Sequence, residues 1–370
     1  MRILVTAGGT GGHIYPALSV LDELRKRISP TILFVGTKRG LEARLVPDRG
    51  YRFRTVWVSG LRRRRFWANC GVPLKMAVSL IQSMAIIIRF RPELILGTGG
   101  YASWPVMTAG ILLGRKTMIQ EQNRRPGLVT RLLAPWVDVV ELSWQESVRH
   151  FRKGGNLRVS GNPTREDIEG VKRTEACLRF GLRPDRLILL VFGGSQGAES
   201  INRALAGFLD DLMAETEVQI LWATGPAWVD WHRPAVQRFK ERIRLVPYID
   251  DMAAAYAAAD LVVSRSGAST VAEITRLGLP SCLIPFPGAA GGHQEQNARM
   301  LSDADAAVLV HEPDMTEGLL AKHLYELLSD PDRRKSMAEK AKTFGRPDAA
   351  QRICDDLMEL AKGSSVSGER

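Results

Sequence analysis

Two apolar runs in this chain end in glycine-rich turns. One is Ile3-Leu4-Val5-Thr6-Ala7-Gly8-Gly9-Thr10-Gly11-Gly12-His13; the other, opening the second half, is Leu187-Ile188-Leu189-Leu190-Val191-Phe192-Gly193-Gly194-Ser195-Gln196-Gly197-Ala198. A strand that turns through glycines into a helix aims bare backbone N–H groups and a helix N-terminus at an anionic group. One such loop is weak evidence, because glycines also serve tight strand–helix turns. Two of them, heading two similar halves, predict two nucleotide-binding-type domains facing one cleft. At 370 residues the chain is too long for one ordinary core and fits two α/β domains.

The pattern between the glycine turns agrees. Strands are expected at 3–7, 31–35, near 53–57, 94–97 and 117–120, with helices near 16–27, 73–89 and 127–134. Such alternation marks a mostly parallel sheet covered on both faces, a doubly wound α/β fold. Gly161-Asn162-Pro163 stops it, which places an N-terminal domain at 1–163 and a C-terminal domain at 164–347. Strands near 187–192, 218–223, 243–246, 261–263 and 281–285 are expected in the second. A helix at 348–362 follows the Gly345-Arg346-Pro347 break and is expected to pack back on the first domain, and 363–370 reads as a disordered tail.

Composition narrows the class. Hydrophobic residues at 45% and charged residues at 25% are those of a soluble globular protein. Cys70, Cys177, Cys282 and Cys354 are scattered without metal-ligand spacing, so reduced, packed thiols and no structural or catalytic metal are expected. Only Arg2 stands between Met1 and the first strand pattern, so no signal peptide is expected. A net charge of +11 suits an acidic partner: nucleic acid, anionic lipid or a phosphorylated substrate. The densest basic run, Arg62, Arg63, Arg64 and Arg65, precedes an apolar helix and lacks the interleaved aromatics of a single-stranded nucleic-acid site.

In open α/β sheets ligands bind beyond the carboxyl ends of the strands, and the polar clusters fall there. They are Gly8 to His13, Thr98 to Tyr101 and Gln120 to Asn123, then Gly193 to Gly197, Ser264 to Ala268 and Gly291 to Gln294. The first loop lacks the Gly-x-Gly-x-x-Gly spacing, and the second strand ends Phe34-Val35-Gly36-Thr37-Lys38 without the acidic residue a dinucleotide needs. His13 is either a polar group held at the strand-end cleft or a loop histidine bonded to backbone. Ser195, the surrounding N–H groups and Arg165 suit a diphosphate, or else an ordinary turn and a solvated arginine. Glu273, on a helix starting near Ser269, is placed to accept two ribose hydroxyls or is merely solvated. Asp303-Ala304-Asp305 reads as a turn, not as a metal site.

The segment Pro73 to Phe90 carries two apolar stripes. Leu74, Ala77, Val78, Ile81, Met84, Ala85 and Ile88 are expected to face the core, and Met76, Leu80 and Ile87 to form a second face, around a polar seam of Lys75, Ser79, Gln82 and Arg89. The run falls short of the roughly 20 apolar residues that span a bilayer, so an anionic membrane surface is the expected partner of the second face. Burial on both sides is the alternative.

Taken together the motifs resemble the MurG family of GT-B glycosyltransferases, the bacterial lipid I N-acetylglucosaminyltransferases, over essentially the whole chain. The likeness rests on Gly8 to His13 with Pro16-Ala17-Leu18, Gly97 to Tyr101, Glu121-Gln122-Asn123, Gly161-Asn162-Pro163 with Arg165, and Gly193 to Ala198. Tyr248 to Met252, Arg265 to Ala268 with Thr270 and Glu273, and His293-Gln294 with Asn297 complete it. Gln120 stands where that family usually has histidine, Trp104 where glycine is frequent, and Gly291-Gly292 where polar residues are common.

The resemblance implies a GT-B fold and inverting transfer from UDP-N-acetylglucosamine to the muramyl 4-hydroxyl of lipid I, without cofactor or essential metal. It assigns the donor to Ile249 (uracil), Glu273 (ribose), Ser195 and Arg165 (diphosphate) and Gln294 (sugar), with Thr10, Gly11, Gly12, Ala268, Ser269 and Thr270 at the same site. Gly11, Gly12, Tyr101 and Asn123 would shape the acceptor side, His13 would be the base, and the enzyme would sit peripherally on the cytoplasmic face of the inner membrane. Another UDP-sugar-dependent lipid glycosyltransferase, or an epimerase-type enzyme without lipid acceptor, would share the donor features; a nucleic-acid binder would need its charge along a groove.

Overall fold

The computed structural model describes residues 1–59, 72–152, 156–315 and 318–363. Arg62 to Arg65, Cys70 and the tail from 364 onward therefore lie outside the described residues. Two compact units emerge: Met1–Thr164 together with Arg346–Arg370, and Arg165–Gly345.

The first unit is built on seven parallel strands, β1 (Arg2–Thr6), β2 (Thr31–Gly36), β3 (Arg52–Thr55), β4 (Leu94–Gly97), β5 (Lys116–Glu121), β6 (Val139–Leu142) and β7 (Leu157–Val159), in the order β3-β2-β1-β4-β5-β6-β7. Helices α1 (Gly11–Arg27), α2 (Glu42–Asp48), α3 (Val72–Phe90), α4 (Ser103–Leu112) and α5 (Leu128–Leu133) connect them. Strand side chains alternate, so one apolar run feeds two cores. Ile3 and Val5 pack with Ile14, Leu18, Leu21 and Leu24 of α1 and with Ile353, Leu357 and Leu360 of the helix Ala349–Ala361. Leu4 faces the other way, into Ile87 of α3 and Val106 and Met107 of α4. Cys354 closes the first layer by donating its thiol to Val20 O at 3.2 Å; it, Cys177 and Cys282 are all buried and unpaired.

The second unit has six parallel strands, β8 (Ile188–Phe192), β9 (Gln219–Ala223), β10 (Ile243–Val246), β11 (Leu261–Ser264), β12 (Ser281–Leu283) and β13 (Val308–Leu309), ordered β10-β9-β8-β11-β12-β13. In each unit the glycine-bearing strand is central, with the chain running outward on either side of it. Its carboxyl end is the switch point at which such sheets open a crevice. Asp303 to Asp305 form a turn, with Asp303 N donating to Arg299 O.

The structure reverses the expected faces of α3. Ile87 is fully buried and Leu80 packs against the same core, whereas Leu74, Ile81 and Ile88 are 63%, 67% and 58% exposed. Met76, Leu80 and Ile87 are thus not the free face; Ala77, Ala85 and the Leu74-Ile81-Ile88 row are. The cause lies in Ser79, read as part of the polar seam, and in Ser83 one turn further on. Ser79 Oγ donates to Met76 O at 2.9 Å and Ser83 Oγ to Ser79 O at 2.7 Å, so both hydroxyls are satisfied within the helix and this narrow face can bury against α4. At 19 residues, with an 18-residue window of mean hydropathy 1.5 that is 22% buried, α3 by length and composition reaches what a span requires, beyond the expectation from sequence.

On β6, Glu141 is fully buried beside Asp356 of the returning helix, and Ser160 donates to it. Burial pushes its carboxyl up to about 8; the Ser160 bond opposes the shift and Asp356 adds to it. An unfolded carboxyl releases its proton near its ordinary value, so the stability of the protonated native form is full below that value and is lost as pH rises toward about 8. Glu141→Gln is accordingly expected to raise Tm relative to wild type by a margin that grows between pH 5 and pH 8, read from paired thermal melts. A margin flat with pH excludes this group as the source.

Candidate active site

In the first unit the glycine turn leads from β1 into α1, with His13 in the helix's first turn. Gly100, at φ +79°, lies so close to the turn that a Cβ there would sit 2.2 Å from Gly8 O; only glycine admits this approach. The loop is pinned from below by Glu42, which is fully buried and accepts from Gly9 N (3.2 Å), Thr37 N (2.9 Å) and Thr37 Oγ1 (2.7 Å). Tyr101 stands against Gly9. His13 Nδ1 lies 3.0 Å from Thr98 O and 2.9 Å from Gln122 Oε1, and Thr98 Oγ1 donates to His13 O at 2.7 Å. Both partners of Nδ1 are acceptors, so Nδ1 carries the hydrogen and Nε2 the lone pair.

Asn123 is buried and donates through Nδ2 to Glu121 Oε1 at 3.1 Å, while Glu121 Oε2 accepts from Gly127 N and Thr130 Oγ1. Thr10, Gly11 and Gly12 occupy the cap and first turn of α1 with no side-chain cap bond.

In the second unit the turn after β8 and the loop after β9 interlock backbone to backbone. Gly197 has φ +75°, and a Cβ there would fall 1.8 Å from Thr224 O. The turn leaves Gly194, Ser195 and Gln196 exposed at its tip. Arg165 and Glu273 are brought together: Arg165 Nε donates to Glu273 Oε1 at 3.2 Å, and Tyr256 OH donates to Oε2 at 3.0 Å. Burial pushes the Glu273 carboxyl up, with Arg165 and the Tyr256 bond pulling against it. Each oxygen keeps a second lone pair for a further donor.

The helix Ala268–Leu277 carries Ala268, Ser269 and Thr270 in its first turn, and among the described residues Ser269 Oγ is buried with no hydrogen-bond partner. Ile249 is buried in the loop before the helix Met252–Ala258. Gln294 Oε1 accepts from Phe286 N at 2.9 Å and its backbone O accepts from Ser266 Oγ at 2.8 Å. Arg265 bonds Ile284 O, Pro285 O, Ser200 Oγ and Glu312, tying the loops after β11 and β12 to the helices Glu199–Gly207 and Glu312–Met315. Among the described residues no group of three or more His, Cys, Asp and Glu could hold a metal ion.

Glu42, Tyr256 and the Arg265–Glu312 pair were not foreseen from sequence. Tyr256 carried one signal, as the single large residue with a polar tip in the run Met252-Ala-Ala-Ala-Tyr256-Ala-Ala-Ala259.

Two doubly wound parallel sheets, each with a glycine turn at the carboxyl end of its central strand, place the protein in the GT-B class of glycosyltransferase folds. Residues 3–141 match the glycosyltransferase family 28 N-terminal domain and residues 188–353 the family 28 C-terminal domain. The UDP-N-acetylglucosamine–N-acetylmuramyl-(pentapeptide) pyrophosphoryl-undecaprenol N-acetylglucosamine transferase of Prosthecochloris aestuarii is 42% identical over 98% of this chain and 99% of its own length. The Halothermothrix orenii enzyme of the same name is 39% identical over 98% of this chain and 100% of its own. A crystal structure of Acinetobacter baumannii MurG superimposes with a TM-score of 0.75 at 27% identity, covering 97% of this chain and 99% of that one. The chain belongs to the MurG family of family 28 glycosyltransferases.

Proposed function

We propose that this protein transfers N-acetylglucosamine from UDP-N-acetylglucosamine to the 4-hydroxyl of the muramyl sugar of lipid I, inverting the donor's α linkage to β and releasing UDP. The observation that carries the reading is the end-to-end match, above 40% identity, to a transferase of that name. His13 Nε2 accepts the hydroxyl proton as the oxygen attacks the anomeric carbon. The leaving diphosphate gains negative charge, which the N–H groups around Ser195 and the guanidinium of Arg165 stabilise. Glu273 accepts the ribose hydroxyls, the backbone of Ile249 reads uracil, and Gln294, whose Oε1 is held by Phe286, gives its amide N–H to the sugar. Ser269 Oγ adds a donor without a protein partner; Ala268 and Thr270 line the same helix start. Gly11, Gly12, Tyr101 and Asn123 shape the acceptor side, with Thr10 beside them.

The enzyme acts as a peripheral protein on the cytoplasmic face of the inner membrane. Leu74, Ile81 and Ile88 of α3 supply the apolar face, supported by exposed Leu128, Leu132 and Trp136 at and beyond α5, and by Arg89 and Arg131. Because its serine face packs on α4, the helix lies along the surface and does not cross it.

Labelled UDP-N-acetylglucosamine offered with lipid I, with diacylglycerol, or with no lipid tests the reading. Label in lipid I supports it; label in diacylglycerol, or epimer or free sugar without lipid, favours the two alternatives. At the donor site, Glu273→Ala is expected to weaken UDP binding by roughly 1.5–3 kcal/mol, since two hydroxyls lose a charged acceptor. Tyr256→Phe, which only loosens the carboxylate, should lose less. Calorimetry showing unchanged UDP affinity in Glu273→Ala removes that residue from the site.

A further inference from the structure

The pair Gln120 and Gln122 lies behind His13, and neither side chain reaches the protein surface. Their amide orientations are set by a one-way series of hydrogen bonds. Ser143 Oγ donates to Glu121 O at 2.7 Å, so its oxygen is the acceptor for Gln120 Nε2 at 3.2 Å. Gln120 Oε1 then faces Gln122 Nε2, whose two hydrogens are shared among it, Thr98 O at 2.7 Å and Gln120 O at 3.1 Å. With its Nε2 so committed, Gln122 can turn only Oε1 to the imidazole, 2.9 Å from Nδ1. Reversing any amide would set donor against donor or acceptor against acceptor between two fully buried side chains.

We propose that this Ser143–Gln120–Gln122 relay is a positioning device for the transfer reaction: it holds His13 as the Nδ1–H tautomer and leaves Nε2 as the basic atom. The inference rests on His13 being the base. It assigns Gln120, the residue that departs from the histidine usual in the family, a specific task. A glutamine has a fixed donor end and a fixed acceptor end, so the orientation it imposes does not change with pH, as a histidine's would.

Titratable side chains at the loops and helix start that frame His13 include Tyr15 of α1, Glu42 of α2, Tyr101 after β4 and Glu121 of β5. Glu42 and Glu121 bond to backbone N–H groups of the loops that frame His13.

The primary test is nitrogen NMR of the wild-type protein labelled at histidine, with the His13 signals assigned by difference from His13→Gln. The relay requires a protonated Nδ1 and an unprotonated Nε2 in the neutral ring; an Nε2–H tautomer overturns it. Second, Gln122→Leu should lower kcat about 10- to 100-fold with the KM for UDP-N-acetylglucosamine unchanged, the scale of losing a group that orients a catalytic histidine. Ser143→Ala should act in the same direction but less, and adding it to Gln122→Leu should cost nothing further, because both cut one chain. Additive losses, or wild-type kcat in Gln122→Leu, also overturn the proposal. If the tautomer is as required while His13→Gln keeps full turnover, it is the assignment of His13 as base that fails.

Discussion

Replacing His13 by alanine should lower turnover by about 100- to 10,000-fold, the range a positioned general base contributes, while UDP binding stays near wild type. The residues proposed to hold uracil, ribose, diphosphate and sugar (Ile249, Glu273, Ser195, Arg165 and Gln294) belong to the second unit and His13 to the first, so a donor-affinity measurement is blind to the imidazole unless the Thr10–Gly12 turn beside it collapses. That turn is held independently by Glu42 on Gly9 N and by the Gly8–Gly100 approach, neither of which involves the imidazole. Loss of rate with retained UDP affinity therefore reports chemistry and not loop disorder. Single-turnover rate against pH, with saturating lipid acceptor, separates base from scaffold. Wild type should lose rate on the acidic side as Nε2 becomes protonated, and His13→Gln, which cannot titrate, should lack that limb. An identical acidic limb in both proteins assigns the proton to another group and leaves His13 as a substrate-positioning residue.

The sheets were legible because parallel strands covered on both faces must be apolar throughout: Ile3 to Val5, Leu94 to Leu96 and Ile188 to Phe192 read as strands without any partner in view. Two strands of the first unit were not expected. β6 carries Glu141 in its centre, and β7 is three residues long and only half-buried. Helix α4 escaped notice for a related reason: Ser103-Trp-Pro-Val-Met-Thr-Ala-Gly-Ile-Leu112 is apolar nearly all round, so no polar period announces it.

At the site, glycine turns and helix starts announce themselves by composition. The residues that support them do not. Glu42 looks like any acid at the start of a short helix until the fold buries it under Gly9, and Tyr256 and Glu273, seventeen residues apart, meet only across a helix packed on a sheet. The Gln120–Gln122 spacing was visible, but the direction of their amides depends on Ser143, which arrives from the neighbouring strand end.

Helix α3 gives the sharpest contrast between its two faces, because one carries the fold and the other is the face proposed to meet the membrane. Ile87 is fully buried in the layer that holds Leu4, Val106 and Met107. A carboxylate placed there has no cation within the cluster and must give up its hydration, a cost of several kcal/mol against a total stability of about 5–15 kcal/mol. Ile87→Glu should therefore yield aggregated protein or a melt shifted down by many degrees. Leu74→Glu with Ile81→Glu falls on side chains 63% and 67% exposed, so the melt should barely move.

Vesicle binding should respond in the opposite way. Each large aliphatic side chain withdrawn from an apolar environment loses about 1.5–3 kcal/mol, and the pair about 3 kcal/mol or more, which is over 100-fold in partitioning onto anionic vesicles. Added carboxylates meet the negative surface with repulsion as well, and high salt should weaken what binding Arg89 and Arg131 sustain. Co-sedimentation with phosphatidylglycerol vesicles, run beside thermal melts, reads both effects. A folded Leu74→Glu/Ile81→Glu protein that still binds as wild type does would show that this face meets something other than lipid, and the apolar surface at Leu128, Leu132 and Trp136 would become the next to change.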